Sequence, residues 1–110
     1  MNMPHLGGVA AVVVLPIPSR RLDGVAGRVL LDTTRRIPMD ARIVIDLSSV
    51  RHLDSLGIAS LCRAARGRDP GSVVLAGLEP EALVIARITR LHEVFAIYTT
   101  VAAAERALGL

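Results

Sequence analysis

A chain of 110 residues, 52% hydrophobic and 21% charged, has room for one core and lies well away from the disordered class. All 13 basic residues are arginines, yet the formal charge is only +3 and aromatics make up 2%, which excludes a base-stacking nucleic-acid platform and leaves a solvated Arg-rich surface. The single cysteine, Cys62, excludes an internal disulfide and a multi-cysteine zinc centre, and fits a reducing, cytoplasmic setting.

Residues 1–8 are expected to form a flexible tail ahead of one domain over residues 9–110. The apolar run at 9–15 spans about a third of a membrane and has no basic region before it, so it reads as a buried strand, with neither export nor membrane insertion expected. Pro16 and Pro18 close it, and residues 16–21 are expected to be irregular or at best a poor edge strand. Asp23 can cap a helix from Gly24, with Ala26, Val29, Leu30 and Thr33 on one stripe.

RIVIDL at 42–47 is a second strand, and Asp46 at its end is expected to satisfy loop amides. A helix follows with Ile58, Leu61, Cys62 and Ala65 on its apolar stripe, and Gly67 just beyond its end. SVVLA at 72–76 is a third strand. Pro80 opens a third helix between acidic Glu79 and Glu81, with Val84, Ile88 and Leu91 on its buried face. FAIY at 95–98 is a short strand, and Thr100 caps a final helix carrying Val101, Ala104 and Leu108, which Gly109 stops. Strands alternating with helices predict an α/β fold: a central, mostly parallel sheet of four to five strands packed with about four helices. No internal repeat is evident. His5 and His92 have no partners at metal-ligand spacing, so no metal site is expected, and no glycine-rich phosphate loop or other cofactor site is evident.

The chemistry concentrates in residues 43–57, IVIDLSSVRHLDSLG. An apolar strand runs through a short loop to Asp54-Ser55-Leu56-Gly57, where a helix starts. On spacing alone, Asp54 and Ser55 need do no more than satisfy the orphan amides of that helix.

Three stretches resemble the STAS family, the anti-sigma factor antagonists and their relatives. Asp54-Ser55-Leu56-Gly57 matches the family's Asp-Ser-x-Gly. VVLAGLE at 73–79 runs into a helix and then LHEVFAIY at 91–98, similar to the family's second half. The alanine-rich helix at 101–108 closes the match, which covers roughly residues 40–110 in register. Earlier, Leu22-Asp23 match a Gly-x-Leu-Asp segment, but Arg20 stands in place of the glycine and Pro16 and Pro18 interrupt the preceding strand.

This resemblance implies a protein-binding switch and not an enzyme. In the antagonist branch the unmodified protein binds an anti-sigma factor serine kinase, phosphorylation of the motif serine releases it, and a phosphatase resets it. Carried over by position, Ser55 is the acceptor, and Asp23, Arg51, His52, Asp54, Leu56 and Gly57 form the partner-binding surface of a monomer. The alternative within the family is a scaffold of a stress-signalling assembly, or a subunit of a lipid-transport ABC system, without a phosphorylation cycle. Phosphorylation adds about 1.5 to 2 negative charges, which a helix N-terminus tolerates but an apposed partner does not.

Two enzyme-like readings are weaker. A nucleophile elbow needs glycine two residues before the serine, and Leu53 stands there. A phosphoreceiver needs a lysine, which this chain lacks, and an acidic cluster after the first strand, where it has Pro-Ile-Pro.

Overall fold

The computed structural model describes residues 11–109. β-Branched runs form the central sheet: β1 (Val12–Pro16), β3 (Arg42–Asp46), β5 (Val73–Ala76) and the short β6 (Ile97–Tyr98), in the order β1-β3-β5-β6. Every pairing described is parallel, with Val14 opposite Val44, Val44 opposite Val74, and Leu75 opposite Ile97. Parallel strands need crossovers, which the helices supply.

There is also a second, two-stranded sheet. β2 (Arg21–Leu22) pairs in parallel with β4 (His52–Leu53). β1 runs through Pro16, one residue past the expected end, and after Pro18 pairing resumes at Arg21 in this separate sheet. Each of these two-residue strands runs directly into a helix: α1 (Gly24–Thr34) after β2, α2 (Ser55–Ala65) after β4. The remaining helices are α3 (Pro80–Ile88), α4 (Leu91–Val94) and α5 (Val101–Ala107).

Strand alternation divides the core between the two faces. Ile43, Ile45, Val73 and Leu75 pack with Leu30, Leu31, Leu61, Ala82 and Leu91 on one face. Val44, Val74 and Ala76 pack with Ala104 and Leu108 of α5 on the other. The local stop and start signals fall where expected. Asp23 caps α1, Pro80 opens α3, Thr100 accepts a hydrogen bond from the Ala103 amide, and Gly67 takes positive φ after α2. Asp46 accepts from the Ser48 amide at 3.0 Å.

Three helix faces differ from expectation. In α1 the buried positions are Gly27, Leu30, Leu31 and Thr34, one residue on from the expected stripe, and Val29 is exposed. In α2 they are Gly57, Ser60, Leu61 and Ala64, one residue back. Cys62, expected to be buried, is exposed. The two helices approach closely through Gly27 and Ser60. A Cβ on Gly27 would lie 2.2 Å from Ser60 Oγ. That contact puts Gly27 and Ser60 beside the leucines on the buried faces and leaves Val29 and Cys62 outside. In α3 the buried residues are Ala82 and Ala86, while Val84 and Ile88 face solvent. Leu91 is buried as expected but belongs to α4, because Arg90 takes a left-handed conformation (φ 61°) and breaks the helix.

Arg68 ties the far ends of this layer. Its guanidinium is buried and donates to the carbonyls of Pro38 (2.8 Å), Thr34 (2.9 Å) and Ile37 (2.9 Å). Arg42 donates in a similar way to the Leu108 carbonyl at the end of α5.

Candidate functional site

The β2–β4 pair sets the mouths of α1 and α2 side by side. Arg21 lies opposite His52 and Leu22 opposite Leu53. The next residues, Asp23 and Asp54, are the two N-caps. Asp23 Oδ1 accepts from the amides of Val25 (3.1 Å) and Ala26 (3.0 Å), and Asp54 Oδ1 from that of Gly57 (2.8 Å). The Asp54 amide donates to the Leu22 carbonyl across the pair at 3.3 Å.

This symmetry has a sequence counterpart that a search for repeats passes over. Arg20-Arg21-Leu22-Asp23-Gly24 and Arg51-His52-Leu53-Asp54-Ser55 share one pattern: arginine, a second basic or imidazole residue, leucine, aspartate, small residue. Leucine enters the core, aspartate caps, and the small residue starts the helix. Both leucines are buried. The Arg20 carbonyl accepts the amides of Arg51 (2.8 Å) and His52 (3.1 Å), extending the pairing backward.

Ser55 is the first residue of α2 and not its cap. Its side chain is exposed and, among the described residues, makes no hydrogen bond. It stands over the positive end of the helix, where free amides favour an anion. Leu56 is 63% exposed and lies over Gly24, where a Cβ would come within 3.2 Å of its Cδ1. Gly57 is buried against backbone, since a Cβ there would meet the Leu22 carbonyl oxygen at 1.9 Å. Glycine at this position is therefore a packing requirement of the β2–α2 contact.

Of the remaining predicted residues, Asp23 joins the site beside Asp54, half-buried at the α1 mouth. His52 is exposed on β4, and no hydrogen bond joins it to Ser55 among the described residues. Arg51 reaches away to α3, where it meets Glu81 at 3.4 Å.

Sequence reasoning missed the apolar component on α1. Val25 is 79% exposed beside the Asp23 cap, and Val29 continues the stripe one turn on. A groove of about 490 Å³ runs between α1 and the end of β1, lined by Leu15, Ile17, Pro18, Val25 and Val29. The available signal was Val25 at the second helical position, off the stripe assigned to the core.

Parallel strands, paired helix mouths and an exposed serine on one of them characterise this α/β module. The chain belongs to the STAS domain family, whose model matches residues 2–104. It is similar in structure to an anti-sigma-factor antagonist (STAS) domain protein from Planctomyces limnophilus, with a TM-score of 0.68 and 22% identity over 82% of this chain and 81% of that one. A sulfate transporter family protein from Wolinella succinogenes is also similar, with a TM-score of 0.70 and 15% identity over 88% of this chain and 84% of the other. No curated protein sequence matches the chain significantly. Among the described residues, no helix is long and apolar enough to cross a membrane.

Proposed function

We propose that this chain is an anti-sigma factor antagonist. In its unmodified form it binds an anti-sigma serine kinase in the cytoplasm through the paired mouths of α1 and α2, and phosphorylation of Ser55 releases it. The observation that carries this reading is the Ser55 hydroxyl, exposed, unengaged and seated at the positive end of α2 between Asp54 and exposed Leu56. A kinase can reach it without unfolding anything. The γ-phosphoryl of ATP passes to Ser55 Oγ, ADP leaves, and the hydroxyl proton goes to the kinase's base.

The surroundings make the phosphate tolerable to the fold and intolerable to a partner. The helix amides accept the added charge. Leu56 and Val25 offer exposed apolar contact area at the two helix mouths, and a partner seated there that covers Ser55 must desolvate and oppose the phosphate. A coupling of about 1–3 kcal/mol weakens binding roughly 5- to 150-fold. Asp54 is committed to the Gly57 amide and His52 is not joined to Ser55, which supports a binding role over a hydrolytic one.

The test is incubation with the cognate kinase and ATP, followed by intact mass. One phosphoryl group on the wild type and none on Ser55→Ala is the expected result, whereas a modified Ser55→Ala chain overturns the assignment. A second reading, a STAS module in a scaffold or transporter assembly with no phosphorylation cycle, is favoured by the likeness to the Wolinella succinogenes transporter-family protein. Recovery of a transporter ATPase subunit with the unmodified chain, in place of a serine kinase, selects it.

A further inference from the structure

The opposite ends of α1 and α2 carry a second surface. Arg35, Arg63, Arg66 and Arg68 line one depression of about 270 Å³, floored by Leu31 and Ala64. It begins where α2 ends, about 16 Å along the helix from Ser55. Arg68 is buried and donates to three neutral carbonyls, and among the described residues no carboxylate pairs with it. Arg35 meets Asp32 at 3.6 Å in an exposed pair, which is worth little. The side chains of Arg63 and Arg66 make no hydrogen bond or ion pair among the described residues.

Stabilising the helix ends does not account for this excess. Arg68 already serves the α1 carbonyl of Thr34. The side chains of Arg35, Arg63 and Arg66 donate to no carbonyl of either helix. Four arginines line one concave surface in a chain of formal charge only +3, and three of them are free of backbone carbonyls.

We propose that this depression is a docking site for an acidic polypeptide segment of a partner protein. Guanidinium forks match carboxylates bidentately. Arg63 and Arg66 stand nearly one helical turn apart, about 5 Å. Long arginine stems let the two forks spread to the roughly 7 Å between same-side carboxylates of an extended peptide. A phosphate group is a poorer fit, because the depression lies at helix C-termini, which present carbonyls in place of the amides that hold phosphate. Nucleic acid is also disfavoured. Phe95 is buried and Tyr98 half-buried on β6, so no aromatic platform adjoins the arginines.

The test uses a fluorescein-labelled deca-glutamate peptide and the full chain, read by fluorescence anisotropy at low salt. The wild type is expected to bind, with affinity falling as sodium chloride is added. Arg63→Glu/Arg66→Glu should weaken binding at least tenfold. Arg87→Glu/Arg106→Glu, the same charge change placed elsewhere, should leave it within twofold. Ser55→Asp should also leave it within twofold, so the outcome is separable from the proposed switch. If the glutamate pair does not fold by circular dichroism, Arg63→Gln/Arg66→Gln replaces it. Equal weakening by the two reversal pairs overturns the proposal, as does unchanged binding by a folded Arg63/Arg66 variant. Tighter binding of a twenty-nucleotide oligothymidylate or of inorganic pyrophosphate than of the peptide also overturns it.

Discussion

The carbonyl oxygen of Leu22 occupies the space a methyl group on Gly57 would need, 1.9 Å from the ideal Cβ position. The same carbonyl accepts the Asp54 amide. One backbone group therefore fixes both the cap and the first turn of α2. Gly57→Ala forces backbone apart, because the obstructing atom cannot rotate away. It is expected to lower stability by about 3 kcal/mol and the midpoint of thermal unfolding by about 10–20 °C. Calorimetry on the two proteins reads this directly, and an unchanged midpoint contradicts the contact.

The two capping aspartates contribute separately to stability. Asp23→Ala and Asp54→Ala each remove side-chain acceptors from helix amides. Each should cost about 1 kcal/mol, and Asp54→Ser should recover most of the loss. Urea unfolding with an unchanged slope is the check.

Ser55 is expected to be silent in folding. Ser55→Glu places a carboxylate at the exposed mouth of α2, so stability should stay within about 0.5 kcal/mol of wild type or rise slightly. Under the proposed function the same variant loses its kinase partner. Titration calorimetry with that partner should show affinity at least fivefold weaker, with Ser55→Ala near wild type.

Arg68 makes the opposite case, a charged residue whose role is to hold the fold. Arg68→Met keeps the bulk of the stem but leaves the carbonyls of Thr34, Ile37 and Pro38 without their donor. A loss of about 3 kcal/mol is expected. Hydrogen exchange should locate the loosening at the end of α1 and the loop that follows it.

Local chemistry was legible in the sequence where a residue acts on its near neighbours. Asp23, Pro80, Thr100 and Gly67 declared their positions because caps and turns depend on a few adjacent amides. The strands of the central sheet were legible as β-branched runs. Helix rotation was not, because it depends on the close approach of Gly27 and Ser60, residues with no hydrophobic signal. Val29 and Cys62 were consequently placed inside, and both are exposed. The β2–β4 pair was invisible to periodicity, since each strand is two residues long. Its trace survives only as the shared pattern around Leu22-Asp23 and Leu53-Asp54. The motif Asp54-Ser55-Leu56-Gly57 marked one half of the candidate surface, and the exposed Val25 of the other half carried no motif.

Backbone touches backbone where β2 crosses the first turn of α2, with no side chain between to act as a cushion. Under the proposed function, a partner landing on the twin helix openings meets a close-packed crossing. Little ordering entropy is lost on the protein's side of the encounter. Under the proposed function, a charge placed at Ser55 acts directly on the incoming surface.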